Sequence, residues 1–384
     1  QLAAAGDCVV CHTAPGGAPN AGGRAIDTPF GVVYATNLTP DPETGIGNWS
    51  FSAFQRAMRE GISRDGHRLF PAFPYTAFTR VTDDDLTALY AYLMSQPAVR
   101  AEVPESKLAF PFGVRPLMAV WNALYLEPGP VSPDPSRSAQ WNRGEYLVNG
   151  LGHCGACHTP RNAAGAERRG EAWLAGAMID GWEAPALTSA SRAPVPWTEG
   201  DLHDYLRTGL SMRHGAANGP MGPVVRELSQ LPDADIRAIA HYLASFSTPA
   251  DAGQADAAAR AAVERARAQS VTLVGPAQRM FERACGACHH DGDAPVETGR
   301  NIPLALAASL HGDRPDNLVR TILEGIREPA TPAIGHMPAF AESLDDAQVA
   351  ELAAWMRRRF APDKPAWPAL AEAVARIRAA PSSH

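Results

Sequence analysis

The sequence predicts an all-α protein in which three similar domains follow one another in tandem, joined by linkers. Its six cysteines occur only as three C-x-x-C pairs, and each pair is followed directly by a histidine. After each of these motifs, two stretches show apolar residues at helical spacing. The three motifs are Cys8, Cys11 and His12; Cys154, Cys157 and His158; and Cys285, Cys288 and His289.

The helices of each repeat are predicted from apolar spacing and from the residues at their ends. The middle helix ends at a glycine, and the last helix begins with threonine or acidic residues, which favour a helix N-terminus. The middle helices are predicted over 50–62, 198–210 and 314–326, and the last helices over 82–95, 232–245 and 345–360. The aromatic residues expected on the inner face of the last helices are Tyr92, Tyr242 and Trp355.

The pattern C-x-x-C-H is typical of covalent haem attachment. Two thiols three residues apart both reach the haem vinyl groups, and the adjacent histidine lies under the iron. A zinc site would need four ligands grouped together, and a redox pair of cysteines would not need the histidine three times. Disulfides are disfavoured because the motifs use every cysteine. The sequence therefore predicts three covalently bound haem c groups, with His12, His158 and His289 as proximal ligands.

Helix, motif, loop, helix, loop and helix is the order of elements in a small class I cytochrome c domain. Each repeat is therefore interpreted as one such domain. Because bacteria attach haem covalently outside the cytoplasm, the predicted compartment is the periplasm, with the protein peripheral on the inner membrane. The predicted divisions are domain 1 (1–100), a linker with an apolar helix (101–140), domain 2 (141–248), an Ala-rich linker (249–270), domain 3 (271–361) and an amphipathic C-terminal tail (362–384).

The segments outside the three domains differ in character. The Ala-rich linker is expected to form a solvated helix or a flexible tether. Residues 105–127 are too apolar for an ordinary linker, and they are expected to cover the first haem site or to contact a partner. The tail has an apolar stripe that would lie on a membrane, dock a partner or pack back on domain 3. That stripe consists of Trp367, Leu370, Val374 and Ile377.

The distal iron ligand is expected from the loop before each last helix, where a methionine sulfur is the usual choice. Met221 and Met337 occupy these loops in domains 2 and 3. The neighbouring His214 and His336 are interpreted as surface groups or as groups beside the ligand.

In domain 1 the loop has no methionine, and Phe73 stands in its place. Met118 from the apolar linker is ranked first as the sixth ligand there, an open or water-ligated iron second and His67 third. Met58 is expected in the core, and Met94 is expected to lie far from the iron.

Composition narrows the class further. The chain has 384 residues, 45% of them apolar and 20% charged, which suits a globular protein of several domains. A net charge of −7 makes nucleic acid an unsuitable partner. No apolar run approaches the roughly 18 residues of a membrane span. Because the first motif follows almost directly on residue 1, a processed or trimmed start is expected.

Several stretches resemble the triheme cytochrome c subunit of membrane-associated bacterial dehydrogenases. They are "GDCVVCHTAPGG", "TNLTPDPETGIGNWS", "PAFPYTAFTRVTDDDLTALYAYLMS", "FPFGVRPLMAVWN", "CGACHTPRN" and "LHGDRPDNLVRTILEGI". Together they cover most of residues 6 to 360. Subunits of the alcohol and gluconate type resemble "PAMPY" where this chain has "PAFPY". The "PAFPY" form is similar to the branch paired with molybdenum hydroxylases that oxidise aldehydes or N-heterocycles.

The resemblance implies an electron-transfer subunit. Its partner would be a large catalytic dehydrogenase subunit containing molybdenum, together with an iron–sulfur subunit. The acceptor would be ubiquinone or a terminal oxidase. The alternatives are an electron subunit of a quinoprotein or flavoprotein dehydrogenase for alcohol, gluconate or fructose, a free electron shuttle, and a cytochrome with a catalytic open-site first haem.

Overall fold

Helices form most of the regular structure in the computed structural model, which describes residues 1–270, 272–290, 301 and 303–380. Among the described helices, none combines the length and the hydropathy that a membrane span requires. Residues 271, 291–300 and 302 of predicted domain 3 and residues 381–384 of the tail lie outside the described residues. The helices are α1 (Leu2–Ala5), α2 (Cys8–Cys11), α3 (Phe51–Glu60), α4 (Tyr75–Phe78), α5 (Asp83–Met94), α6 (Met118–Tyr125), α7 (Ala139–Asn149), α8 (Gly155–His158), α9 (Glu199–Thr208), α10 (Met221–Leu228), α11 (Asp233–Ala244), α12 (Ala252–Ser270), α13 (Pro276–Ala284), α14 (Asp316–Glu324), α15 (Asp346–Phe360) and α16 (Leu370–Ala379).

The six helices predicted from apolar spacing are confirmed to within two residues at each end. Their caps explain this accuracy. The Ser50 hydroxyl accepts a hydrogen bond at the start of α3, and Thr198 and Asp345 form capping boxes at α9 and α15. Gly61 and Gly209 end α3 and α9 in the left-handed conformation, with φ of 63° and 75°.

The fold is mainly helical but not purely so, because short antiparallel strands line the loops. Each strand has two to four residues, so no alternation of apolar and polar residues was long enough to predict them. One sheet has the order β1-β2-β3, and two hairpins pair β4 with β5 and β6 with β7. The strands are β1 (Ala25–Thr28), β2 (Gly31–Tyr34), β3 (Lys107–Leu108), β4 (Ala177–Ile179), β5 (Trp182–Ala184), β6 (Leu210–Ser211) and β7 (Gly215–Ala216).

The chain divides into two compact units. The first comprises 1–156, 161–168 and 230–239, and the second comprises 157–160, 169–229 and 240–384. The three predicted domains were defined by the haem motifs, whereas these two units are defined by compactness. The boundaries of the three domains therefore stay predictions.

In the first unit, α5 buries one face made of Leu86, Leu89 and Leu93. Tyr92 lies off this face and is 45% exposed, so the expectation that it faces inward is wrong. Tyr90 turns inward instead, and its hydroxyl donates a hydrogen bond to the Trp49 carbonyl at 2.7 Å. The other two aromatic residues expected on inner faces, Tyr242 and Trp355, are buried.

In the second unit, α12 is neither solvated on all sides nor a flexible tether. It buries Ala255, Ala262 and Ala266, and it packs against α15. Its Asp256 carboxylate also accepts a hydrogen bond from Arg213 at 2.5 Å. Small alanine side chains allow the helices to approach closely. From the sequence, only the high alanine content of this segment was evident.

The C-terminal tail packs back on α14 and α15, which is one of the three roles expected for it. Trp367, Val374 and Ile377 are buried in the same apolar cluster as Trp355. Arg378 on the same helix donates hydrogen bonds to three acceptors on the loop before α15 and on its first turn, namely Ala341, Leu344 and Asp346. Of the roles considered for the apolar stripe, packing against the third repeat is the one observed.

Ile377→Ala should lower the free energy of unfolding by about 2–4 kcal/mol, because it removes a buried side chain from a packed core. Denaturant unfolding monitored by far-ultraviolet circular dichroism measures this change. Glu372→Ala, an exposed position on the same helix, is the matched control. Equal unfolding free energies for the two variants would contradict the packing described for α16.

Candidate haem-binding sites

Each C-x-x-C-H motif forms a tight turn closed by backbone hydrogen bonds, and this turn is helical in the first two motifs. The His12 amide donates a hydrogen bond to the Cys8 carbonyl at 2.9 Å, and the His289 amide donates one to the Cys285 carbonyl at 2.8 Å. In the second motif, α8 contains the histidine. Residues three and four apart lie on the same side of a helix. The turn therefore presents two sulfurs and one imidazole on a common side in each motif.

In the first two motifs, a backbone carbonyl fixes the protonation of the imidazole. His12 Nδ1 lies 2.6 Å from the Thr36 carbonyl oxygen, and His158 Nδ1 lies 2.7 Å from the Pro185 carbonyl oxygen. Because a carbonyl only accepts, Nδ1 carries the proton and Nε2 keeps its lone pair for a metal. Burial lowers the pKa of both rings and outweighs the opposing effect of these hydrogen bonds. Both imidazoles are therefore neutral, as iron ligation requires.

The third motif has the same donor set but a different environment. Burial lowers the pKa of His289, and the nearby His290 lowers it further. Among the described residues, no acceptor lies within hydrogen-bonding distance of His289 Nδ1. Burial also raises the pKa of the Cys285 thiol to about 11, so that thiol is neutral until it is attached. A neutral imidazole beside two thiols fits covalent haem in this motif as well.

A chain reversal after the middle helix shows which residues occupy equivalent places on the distal side. The glycine that ends this helix accepts a 2.7 Å hydrogen bond from the Leu69 amide in the first repeat and from the Ala217 amide in the second. Phe73 lies four residues beyond Leu69, and Met221 lies four residues beyond Ala217. The backbone therefore places Phe73 where the second repeat has Met221.

The third repeat holds its methionine differently. Met337 pairs directly with Ile326, the second residue after α14, through hydrogen bonds of 2.9 and 3.1 Å. The glycine before Ile326 is closely covered, because a Cβ atom at Gly325 would lie 2.4 Å from the Met337 carbonyl oxygen. Met337 is thus fixed by backbone pairing, whereas Met221 begins α10 and packs against Ala217 and Val225.

Helix α6 covers the loop that contains Phe73. Asn122 on this helix accepts a hydrogen bond from the Tyr75 hydroxyl at 2.7 Å and donates one to the Glu60 carbonyl at 2.9 Å. The Trp121 ring lies edge-on to Tyr75, with 6.2 Å between their centroids. Met118 is one turn before Asn122 and is 5% exposed. It therefore lies on the covered face of α6, next to the loop that lacks a methionine.

The other sulfur and nitrogen groups considered for the first repeat are less suitable. His67 is exposed, and its Nδ1 lies 2.6 Å from the Asp65 carboxylate. Met58 is buried within α3, and Met94 is the last residue of α5. The ranking of Met118 ahead of His67 stays a prediction.

Sequence reasoning missed a buried polar cluster beside the second distal loop. His214 is 4% exposed, so of its two expected positions the surface one is wrong, and a position beside the ligand stays a prediction. Its ring stacks on Trp197 with 3.6 Å between centroids and 9° between planes. Burial would raise the pKa of Asp201, but His214, Arg213 and a hydrogen bond from Thr198 outweigh burial and hold that pKa well below its usual range. The sequence signal that could have indicated this cluster was the capping box of α9, because its acidic residue also faces the loop.

Comparison with known proteins gives the class to which these features belong. Residues 1–97 and 142–247 match the family described as cytochrome c, and residues 274–356 match the family described as cytochrome c oxidase, cbb3-type, subunit III. The chain is thus a c-type cytochrome, and the haem it implies is covalently bound.

The relatives place the chain within this class. It is 57% identical to one of the subunits of nicotinate dehydrogenase from Pseudomonas putida, over 100% of the chain but 32% of that protein, so it spans about a third of that relative's length. It is 37% identical to the fructose dehydrogenase cytochrome subunit of Gluconobacter japonicus, over 94% of the chain and 78% of the relative. It is also 37% identical to the gluconate 2-dehydrogenase cytochrome c subunit of Pantoea cypripedii, over 93% and 83%. The chain belongs to the family of cytochrome c subunits of dehydrogenases.

Asp201→Asn should lower the free energy of unfolding by about 3 kcal/mol at pH 7, since it leaves Arg213 without its buried partner. The depressed folded-state pKa means that the carboxylate contributes fully above the unfolded value of about 4, and that this contribution is lost as pH falls through the folded value. The difference from the unmutated protein should therefore shrink below about pH 4. Unfolding at several pH values measures it, with the exposed Asp204→Asn as control. A difference that stays constant down to pH 2 would contradict this account of Asp201.

Proposed function

We propose that the chain is a triheme electron carrier that receives electrons from a catalytic dehydrogenase subunit and delivers them to ubiquinone or a terminal oxidase. The observation that carries the proposal is the turn in each motif that places two cysteines beside one histidine, whose Nδ1 is held by a carbonyl in two motifs so that Nε2 is left for iron. Haem iron supplies a one-electron couple when bound. Ligands on both sides of an iron leave no position for a substrate, so the chain's own residues conduct electrons rather than oxidise a molecule.

The relatives' names support a dehydrogenase as the partner. Cytochrome subunits of fructose and gluconate dehydrogenases are similar to this chain over most of its length, which supports a catalytic dehydrogenase as partner. The 57% identity to part of a nicotinate dehydrogenase, together with Phe73, favours a molybdenum-containing enzyme with an iron–sulfur subunit that oxidises an aldehyde or an N-heterocycle. Co-purification from the native host, followed by metal analysis, tests this. A partner that contains a quinone or flavin cofactor and no molybdenum would overturn it in favour of the alcohol, gluconate or fructose type.

The haem count is the most direct test. The mass of the denatured protein should exceed that of the polypeptide by three haem groups, because all three motifs present the same donors. Replacing Cys285 and Cys288 together with alanine should remove one haem and leave two. A mature protein that carries two haems or fewer would overturn the triheme assignment.

For the first haem site, we propose that Phe73 lines the distal side and that Met118 supplies the sixth ligand from α6. The support is the burial of Met118 on the face of α6 that contacts the loop after Phe73. A thioether on three rotatable bonds adapts readily to a gap beside a ring.

Met118→Leu should convert one of three low-spin haems to a form without a methionine–iron absorption band, because leucine conserves volume but cannot ligate. Optical and low-temperature electron paramagnetic resonance spectra measure this. Met58→Leu, a buried methionine of the same repeat, is the matched control. Unchanged spectra for Met118→Leu would remove Met118 as the ligand.

A second function is favoured by one observation, the phenyl ring at position 73. If the first iron keeps an open site, the chain has a catalytic, peroxidase-like haem. Carbon monoxide binding by the reduced, unmutated protein separates the two functions. Binding at one haem would support the open site, and no binding would support ligation by Met118.

Location is proposed as periplasmic and peripheral on the inner membrane, which cell fractionation tests. The surface suited to lipid is the exposed apolar patch, defined as Phe110, Val114, Leu117, Val120 and Leu124. Phe110 is 88% exposed, and Val120 and Leu124 are 61% and 64% exposed. Arg115 is the only charged residue between 108 and 126, although the chain carries −7 overall. An apolar surface with a basic residue suits an anionic lipid surface.

Val120→Asp combined with Leu124→Asp should weaken binding to vesicles that contain phosphatidylglycerol by about tenfold or more, because two apolar side chains no longer enter the lipid. Vesicle sedimentation measures it. The control is Val274→Asp, which changes a side chain that is 76% exposed but lies outside the patch. Equal binding of the two variants would contradict lipid contact through the exposed apolar patch and leave a protein partner as its occupant.

A further inference from the structure

Residues that lead into the second haem motif lie against residues that lead into the first. A Cβ atom built on Gly6, two residues before Cys8, would lie 3.6 Å from Leu151 Cδ2 and 3.4 Å from Cys8 Sγ. His153, directly before Cys154, has its Nε2 atom 3.4 Å from the Gly6 carbonyl oxygen. The two attachment sites therefore meet at the ends that carry their first cysteines.

The helix that leads into the second motif is also fixed to the first repeat. The Tyr146 hydroxyl on α7 donates a 2.6 Å hydrogen bond to Asp85 and accepts one from the Thr82 amide at 3.2 Å. Glu145 on the same helix lies 3.6 Å from Arg80. These contacts lie at the start of α5 and just before it, so α7 cannot shift without disturbing the first repeat.

Side-chain rings connect the distal side of the first site to the start of the second motif. Phe73 occupies the position equivalent to Met221, and its ring centroid is 5.4 Å from that of Phe78. Phe78 in turn lies edge-on to His153, at 5.5 Å and 76°. His153 is bonded along the chain to Cys154. The phenyl ring that replaces a methionine is thus the first member of a packed row of three rings.

His153 adopts an unusual backbone conformation to complete this row. Its φ is +34°, in the left-handed region that disfavours residues with a side chain. Asp7 holds the equivalent position before Cys8, with φ of +51°. Glycine would fit both positions without strain. The histidine at this position has a ring that contacts Phe78 and a nitrogen that reaches Gly6, and both contacts join the first repeat to the second.

We infer that Phe73, Phe78 and His153 are positioning residues for electron exchange between the first and second haem sites. They hold the distal side of the first site and the cysteine-bearing edge of the second in close packing. The step is a one-electron exchange in which iron at one site goes from Fe(II) to Fe(III) and iron at the other goes from Fe(III) to Fe(II). No bond forms or breaks and no proton moves. Electron tunnelling weakens steeply with the distance between cofactor edges, so fixed packing sets the rate. This inference rests on the proposed triheme function.

The experiment compares Phe78→Leu and His153→Asn with a matched control, Phe54→Leu. Phe54 and Phe78 are each 5% exposed and belong to the same unit, but Phe54 lies outside the row of rings. Asparagine tolerates the left-handed conformation, so His153→Asn removes the ring without new backbone strain. Electrons are injected by pulse radiolysis into the fully oxidised protein, and their redistribution between the haems is followed optically. Spectroelectrochemistry gives the three potentials of each variant.

Phe78→Leu and His153→Asn are expected to slow redistribution between the first and second haems by about tenfold or more, because rates that depend on position respond strongly to shifts of about 1 Å. The three potentials and the haem count should stay unchanged, and Phe54→Leu should match the unmutated protein. In both row variants, the Soret circular dichroism signal that arises from coupling between neighbouring haems should also change.

Rates in both row variants equal to that of Phe54→Leu, with three haems bound, would overturn this inference alone. Should Phe78→Leu fail to take up haem, the rate in His153→Asn decides the matter. Fewer than three haems in the unmutated protein would overturn the proposed function instead, so the two failures are distinguishable.

Discussion

The structure depends on one local constraint, a single helical turn that places two sulfurs and an imidazole on a common side. A spacing of three and four residues makes this geometry available in any helix. In the first two motifs, the carbonyl that holds Nδ1 makes this turn selective, because it leaves Nε2 as the nitrogen that can bind a metal. These carbonyls belong to Thr36 and Pro185, more than twenty residues beyond their histidines. The long loops after the motifs therefore serve the ligand directly, and the surrounding helices hold those loops.

Helices were predictable because their signals are local. The caps Ser50, Thr198 and Asp345 and the glycines after α3 and α9 act within one turn, so sequence alone places the ends. The amphipathic tail shows what local signals cannot predict. Its stripe of apolar residues indicates that one face is buried. The helices that cover this face are α14 and α15, and the spacing of apolar residues cannot identify them. Tyr92 fails for a related reason, since Tyr90, two residues away, takes the inward position.

The haem sites divide in the same way. The cysteines and histidines of the motifs follow from spacing, and the segments before the last helices that contain Met221 and Met337 follow from the order of helices, although Met221 begins a short helix that was not predicted. The environment of His214 could not be predicted in this way, because it depends on Trp197 and Asp201 at the start of α9. The covered face of α6 was expected from its apolar character, but the contacts of Trp121 and Asn122 with Tyr75 are needed to show which turn of that helix meets the loop. Contacts between segments that are distant along the chain could not be predicted from the sequence.

Phe73 lies at the beginning of the segment 73–85, on which two later parts of the chain converge. Helix α6 meets this segment at Tyr75, and α7 meets it through Glu145 with Arg80 and through Tyr146 with Asp85. A methionine at position 73 would direct a sulfur to iron and make the loop part of one site. A phenyl ring cannot ligate, so it packs on Phe78 and makes the same loop a contact surface. The phenyl ring thus gives this segment a packing role, while the backbone reversal that positions the segment is the same as in the second repeat.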